Sequence, residues 1–556
     1  MKSQFMFVGL MLIISGVWSA QSATGQVQTE VTYQFSESCT GCHSETGADK
    51  NYIEKHKDFL VVTPGKIWSD QDKHSQAFAI LRASPVTTSI LGFKLEDVMI
   101  AEGTKFTKWI PAPTPEIQTQ IETAKACLRC HATSAANMTP LESVDVTLGV
   151  SCQGCHGPAE KWDPWHRNPN WRLVSASDKV ERGFHDVRNP AVKATICVGC
   201  HVGDQATGRF VKHEWYAKGH PPLPSFELAA FVQQMPAHWE PLQEKSNSRF
   251  AGQLKAANKP LSEVGHWEPD AVYLRKLGLK GLATSYEAAN FSHLKISNTA
   301  VEPDPYEQWP RFQESVVGAI AALKAQVGLL KGLEKGADFA HFDCSACHHE
   351  LQGSKLPPQR PKRLGQLGRP PFSLWPTVLL PAVEQLARQP AEKRKGTAFH
   401  QELETALTEK MFGNREKVVA VASAFEAYLV TLEVELLRTR FDQKAAQSFV
   451  QQIVDEKGNP RVETRDYASA RVIAWSLDAL SKDHAQLMYK PYEETSQSFG
   501  PAGKVFGIGK EDFLHLQLPS RRAKLTDDVP AALQRATRFD PRTFEERLRN
   551  IPPVFK

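Results

Sequence analysis

Cys152-Gln153-Gly154-Cys155-His156 has the form C-x-x-C-H, and the chain repeats that form four more times. The others are Cys39-Thr40-Gly41-Cys42-His43, Cys127-Leu128-Arg129-Cys130-His131, Cys197-Val198-Gly199-Cys200-His201 and Cys344-Ser345-Ala346-Cys347-His348. All 10 cysteines of the chain are used, two per motif. C-x-x-C-H is the attachment sequence of c-type haem. Two thiols separated by two residues sit across one turn, at the spacing of the two haem vinyl groups. The next residue is then carried beneath the ring, where its imidazole can bind iron as the proximal ligand.

Two other readings compete. A Cys-x-x-Cys pair can be a redox disulfide or half of a zinc site. Neither requires His after the second Cys. With 19 His in 556 residues, a His after every one of five pairs is not chance. Zinc would also need further ligands at each site, and no Cys is left over to supply them. The sequence therefore predicts five covalent haems. Their thioether positions are Cys39, Cys42, Cys127, Cys130, Cys152, Cys155, Cys197, Cys200, Cys344 and Cys347. Their proximal ligands are His43, His131, His156, His201 and His348.

The length of 556 residues allows two to four domains. Net charge is +4 with 23% charged residues, so no basic excess points to nucleic acid. Lys2 followed by the apolar run Phe5 to Trp18, then Ala20, Ser22, Ala23 and Gly25, reads as a secretory signal over 1–25. The run is short for a membrane span, and a retained N-terminal anchor is the alternative. Export agrees with thioether formation in an oxidising compartment. The expected location is the periplasm or the cell exterior.

The fold expected is mainly α, a haem-packed region with little regular β followed by a helical C-terminal region. The haem region spans 26–225 with motifs one to four. Residues 226–376 hold a helical segment, motif five and a Pro-rich basic loop. Residues 377–556 form a helical C-terminal domain. Thr114-Pro115-Glu116 has the cap, proline and acid of a helix start, and that helix runs into motif two. Apolar residues from Val316 to Leu330 recur at helical spacing, interrupted by Lys324. The longest helix is expected from Asn414 to about Phe441. The cations of the Gly353 to Pro376 loop pair with haem propionates or an acidic partner, or are simply solvated.

Iron also takes a ligand on its second face. His74 lies one turn before Phe78 in a segment read as helix from Asp72, placed to face a haem or simply exposed. His166 follows Trp162 and Trp165. His213 and His220, seven residues apart, share a face if the segment between them is helical. Surface or capping roles are the alternative for His166, His213 and His220. His349, beside His348, could face another iron or hydrogen-bond at the surface.

Several stretches resemble the multihaem cytochromes of the cytochrome c-552/c-554 family. They are Trp68…His74-Ser75-Gln76-Ala77-Phe78, Gly149-Val150-Ser151-Cys152…Cys155-His156-Gly157-Pro158-Ala159, Gly219-His220-Pro221 and Cys347-His348-His349. The last two, with Phe226-Glu227-Leu228 and Pro236-Ala237-His238-Trp239, resemble a subgroup of large exported members. The resemblance covers roughly 37–376 and implies iron with His on both faces. It points to His74 and His166 as distal ligands, then to His213 and His220. Five motifs, not four, depart from the tetrahaem pattern.

Iron with two His has no open position and moves single electrons. Methionine is the usual alternative ligand. Beyond the leader only Met99, Met138, Met235, Met411 and Met488 remain, so bis-His haems are expected. The function expected is electron transfer through about five haem c groups. Its partners would be redox proteins, a membrane respiratory complex among them. The alternative is an oxidoreductase acting on nitrite, hydroxylamine or nitric oxide at one five-coordinate haem. Pentahaem nitrite reductases usually carry Lys in place of His at the catalytic motif, and all five motifs here end in His.

Overall fold

A computed structural model describes residues 39, 43, 64–103, 105–133, 145–166, 176–238, 309–335, 338–343, 369–387, 390–464, 466–487, 541–549 and 551. The signal segment, Cys42 and motif five (Cys344, Cys347 and His348, with His349) lie outside the described residues.

The fold is mainly α. The first half runs α1 (Pro64–Gln71), α2 (Ala77–Ala83), α3 (Pro85–Leu91), β1 (Met99–Glu102), β2 (Lys105–Trp109) and α4 (Pro115–His131). Short helices follow: α5 (Cys152–His156), α6 (Asp163–His166), α7 (Ala176–Glu181), α8 (Pro190–His201), α9 (His213–Ala217) and α10 (Leu228–Gln234). The second half is α11 (Pro310–Leu330), α12 (Leu380–Leu386), α13 (Gly396–Glu409), α14 (Arg415–Leu437), α15 (Gln443–Ile453), α16 (Tyr467–Leu487) and α17 (Pro541–Leu548).

Among the described residues β1 and β2 form one antiparallel hairpin, with Met99 opposite Trp109 and a bulge between Ile100 and Ala101. It closes a small core of Phe78, Leu95, Val98, Phe106, Ile121 and Leu128. That core fixes α2 against α4, and so positions motif two at the end of α4.

The helix starts follow their caps. Thr114 accepts from the Ile117 N–H with Pro115 at the first position. Asn189 caps α8 through the Ala191 N–H, and Asn414 caps α14 through the Lys417 N–H. The segment after Asp72 departs from the expected helix. Asp72 accepts from the His74 N–H and starts a single 3-10 turn, Lys73–Gln76, before α2 begins. A second departure is at His213 and His220. The helix ends at Ala217, and Gly219 has φ +105, so the two His do not share a helical face.

α11 is apolar nearly all round, the pattern of a buried helix. The stretch Pro310–Leu333 is long and apolar enough to cross a membrane by length and composition alone. Here it is the central strut of the large core. It packs on α8, α10, α14 and α16, with Phe312, Val316, Ile320, Leu323, Val327 and Leu330 inside. Lys324, the charge interrupting its sequence, reaches Glu433 of α14 at 2.7 Å. Lys193 of α8 pairs with Glu314 of α11. A helix carrying motif four is thus tied directly to the C-terminal bundle.

Candidate functional site

Three described motifs share one local design. His131, His156 and His201 are each the last residue of their helix, α4, α5 and α8. The helix holds both thiols across its last turn, and the chain then leaves beneath the imidazole.

These motifs are joined through the segment that carries His74. The indole of Trp68 donates to the carbonyl of Val150 at 3.0 Å, and the N–H of Val150 donates to the carbonyl of His74 at 2.9 Å. Gly149 has φ +63, and a Cβ there would lie 2.4 Å from the His74 oxygen. Only glycine suits that backbone and that approach. Thr133, just past motif two, donates its N–H to Gly149 at 2.8 Å, and its hydroxyl accepts from the Ser151 N–H at 2.7 Å. Two stretches more than seventy residues apart in sequence, Trp68…His74 and Gly149-Val150-Ser151, are therefore one junction.

The histidines come in facing sets. His43 and His166 have ring centres 5.9 Å apart with planes inclined by 28°. His74 and His201 are 6.1 Å apart with planes at 87°. His131 lies within electrostatic reach of His220 and acts to depress its pKa. His156 lies within electrostatic reach of His238, His185, His166 and His43, which with burial lower its pKa. His213 is elsewhere: its ring meets Phe339 at 5.5 Å, and its backbone N–H donates to Asp338 at 3.0 Å.

Hydrogen bonds select the free nitrogen. A carbonyl can only accept, so an imidazole bonded to one carries its proton on that nitrogen. His131 Nδ1 donates to Ala77 at 3.1 Å, His185 Nδ1 to Cys155 at 3.2 Å, His220 Nδ1 to Pro221 at 2.8 Å and His238 Nδ1 to Pro236 at 3.4 Å. His74 Nδ1 bonds the Asp72 carboxylate at 2.9 Å. In His74, His131, His185 and His220 a proton on Nδ1 leaves the lone pair on Nε2, the arrangement that fixes ligand tautomers in metal sites.

Burial favours the neutral, ligating form of most of these rings. It pushes His201 down to about 3, aided by the charge of His74, and both His156 and His220 down to about 4. For His74 burial pulls the same way, but the bond to Asp72 and its charge outweigh it, and the net shift is upward.

The thiols also come together across motifs. Cys152 contacts Cys39, and Cys130 contacts Cys200. Cys155 and Cys197 lie within electrostatic reach of one another. None of the seven described cysteines is in a disulfide, and each is partly buried.

These residues fit haem. A metal ion bonded at about 2 Å to one nitrogen of each of two imidazoles holds the ring centres roughly 6 Å apart. The His43–His166 and His74–His201 pairs stand at that separation. Each described motif histidine has a cysteine of its own motif beside it for a thioether. Among the described residues no cluster of three or more His, Cys, Asp and Glu forms a cage for a bare ion.

Residues 105–157, which hold motifs two and three, match the family model of cytochrome c554 and c-prime. The match places this segment among the c-type cytochromes. It supports haem c as cofactor and haem-based electron transfer as role. No curated protein and no solved structure matches the chain.

His185 and His238 are the site residues that sequence reasoning missed. His185 follows motif three by about thirty residues, in Gly183-Phe184-His185-Asp186, with its backbone N–H on the His156 carbonyl at 3.0 Å. His238 sits in the Pro236-Ala237-His238-Trp239 pattern. The available signal was the presence of a ring next to a motif or in a quoted pattern. Nothing local told these two apart from surface histidines.

Proposed function

We propose that the chain is an exported multihaem cytochrome that passes electrons along five covalently attached haems, mostly with a histidine on each face of the iron. The observation that carries this reading is the pairing of motif histidines with distant histidines at ring separations of about 6 Å. On this reading His166 serves motif one, His220 motif two and His74 motif four. Motif three draws on His238 or His185. His213, whose backbone N–H bonds Asp338, is assigned to motif five because Asp338 precedes Cys344 by six residues in sequence.

The haem supplies a one-electron ferric–ferrous couple when bound. The protein's part is to hold the rings, fill both axial positions and keep water away. Phe226 and Phe231 pack on His201, and Phe184 packs on His156. The thiol contacts favour an order of motifs one, three, four and two along the route, since Cys39 meets Cys152, Cys155 lies near Cys197, and Cys200 meets Cys130. Thioether formation outside the cytoplasmic membrane and the apolar leader favour the periplasm, with soluble or membrane-bound redox proteins as partners.

The test is the mass and spectrum of the mature protein from a host with cytochrome c maturation. The expected result is five haems retained through acid acetone, all low-spin when oxidised. A polypeptide mass without haem overturns the reading. A high-spin fraction that binds nitric oxide would favour the small-molecule oxidoreductase instead.

A further inference from the structure

Asp72 is buried, at 3% exposure, at the start of the 3-10 turn that carries His74. A single oxygen, Oδ1, accepts from the His74 backbone N–H at 3.0 Å and from the His74 ring Nδ1 at 2.9 Å. The backbone bond fixes the carboxylate, and the fixed carboxylate aims the ring. The other four rings with a bonded Nδ1 (His131, His185, His220 and His238) face neutral carbonyls. Of these five Nδ1 bonds, only that of His74 goes to a carboxylate, which is also within electrostatic reach of His238.

That difference has a direct electronic consequence. A charge-assisted hydrogen bond is roughly twice as strong as a neutral one. A carboxylate on the far nitrogen of a ligating imidazole raises the basicity of the near one. A more basic ligand and a buried anion both favour ferric over ferrous iron, and second-shell bonding and burial are levers on haem potential. Asp72 is also within electrostatic reach of Cys155 of motif three.

We propose that Asp72 sets the potential of the haem at motif four. It holds that haem more negative than the haem paired by His131–His220, both of whose Nδ1 atoms bond neutral carbonyls. The step concerned is one electron onto ferric iron with no bond made or broken. The inference rests on the ligation of that haem by His74 and His201.

The test is a potentiometric titration of the haem-loaded protein followed by low-temperature EPR. In the unsubstituted protein the signal assigned to the His74–His201 haem persists to lower potential than the signal that His220→Ala removes. The reverse order overturns the proposal. Asp72→Asn keeps an oxygen for both bonds and removes the charge. At a fixed potential on that wave its reduced-to-oxidised ratio rises about tenfold, equivalent to about 59 mV for a one-electron couple. Asp72→Ser keeps the cap but withdraws the acceptor from the ring, and moves the wave the same way. Haem content and low-spin character stay unchanged in both. An unmoved wave in a loaded, low-spin variant overturns the role of Asp72. His74→Ala tests the underlying ligation separately: if every haem stays low-spin without His74, that assignment fails whatever Asp72 does.

Discussion

The imidazole planes of His74 and His201 stand at 87° to each other, whereas those of His43 and His166 are inclined by only 28°. With haem iron held by these pairs as proposed, near-parallel rings would act on the same iron d orbital and split it from its partner. Perpendicular rings act on both and leave them nearly degenerate. The oxidised protein should therefore show two kinds of low-spin EPR signal, one ordinary and rhombic, the other highly anisotropic with a large maximum g. His74→Ala should remove an anisotropic signal and leave the rhombic signal of the His43–His166 pair. Spectra with rhombic signals alone would contradict the ring geometry.

That contrast also marks what a sequence can carry. The cysteines and motif histidines are legible because they lie within five residues of each other and one turn of helix does the chemistry. The starts of α4 and α14 are legible because Thr114 and Asn414 cap them locally. The pairing of distant histidines is set by tertiary packing. His74 meets His201 across 127 residues only because Trp68, Gly149 and Val150 lock its segment to motif three. His185 and His238 went unassigned for the same reason. The shared face expected for His213 and His220 failed because Gly219 turns the chain, which sends one ring to Phe339 and the other toward His131.

Gly149→Ala should loosen that junction. Its φ of +63 disfavours any side chain, and the new Cβ would lie 2.4 Å from the His74 carbonyl oxygen. Backbone strain of this kind costs about 1–3 kcal/mol. The close approach also pushes on the Val150–His74 hydrogen bond. Thermal unfolding should shift down, and the anisotropic EPR signal should broaden or fall before the others. An unchanged melting curve would mean that the backbone there is free to relax.

Phe226 links the bundle to motif four. It is 1% exposed, stacks on His201 at 6.2 Å and meets Phe231 at 4.7 Å. Phe226→Ala should cost about 3–5 kcal/mol, the usual range for a buried Phe truncated to Ala. Phe226→Leu, which refills most of the space, should cost much less. Urea unfolding of the two variants would separate cavity formation from loss of the aromatic face. Equal losses would point to the ring itself.

Glu227, the next residue, should make stability depend on pH. Its Oε2 accepts from the Ala230 N–H at 2.6 Å and caps α10. Burial, with a smaller push from Glu314, raises its pKa from 4.5 to about 7 against the pull of Ser315 and the backbone. Between those values the unfolded chain has released a proton that the folded chain still holds. The contribution is thus fully present below the unfolded pKa, is lost as pH rises toward 7, and is constant above it. At about 1.4 kcal/mol per unit, the swing is on the order of 3 kcal/mol. Glu227→Gln keeps an oxygen for the cap and has nothing to ionise. Relative to the parent it should be near neutral at pH 4 and stabilising at pH 8. If the difference in urea midpoint between the two proteins is the same at both pH values, Glu227 is not the titrating group.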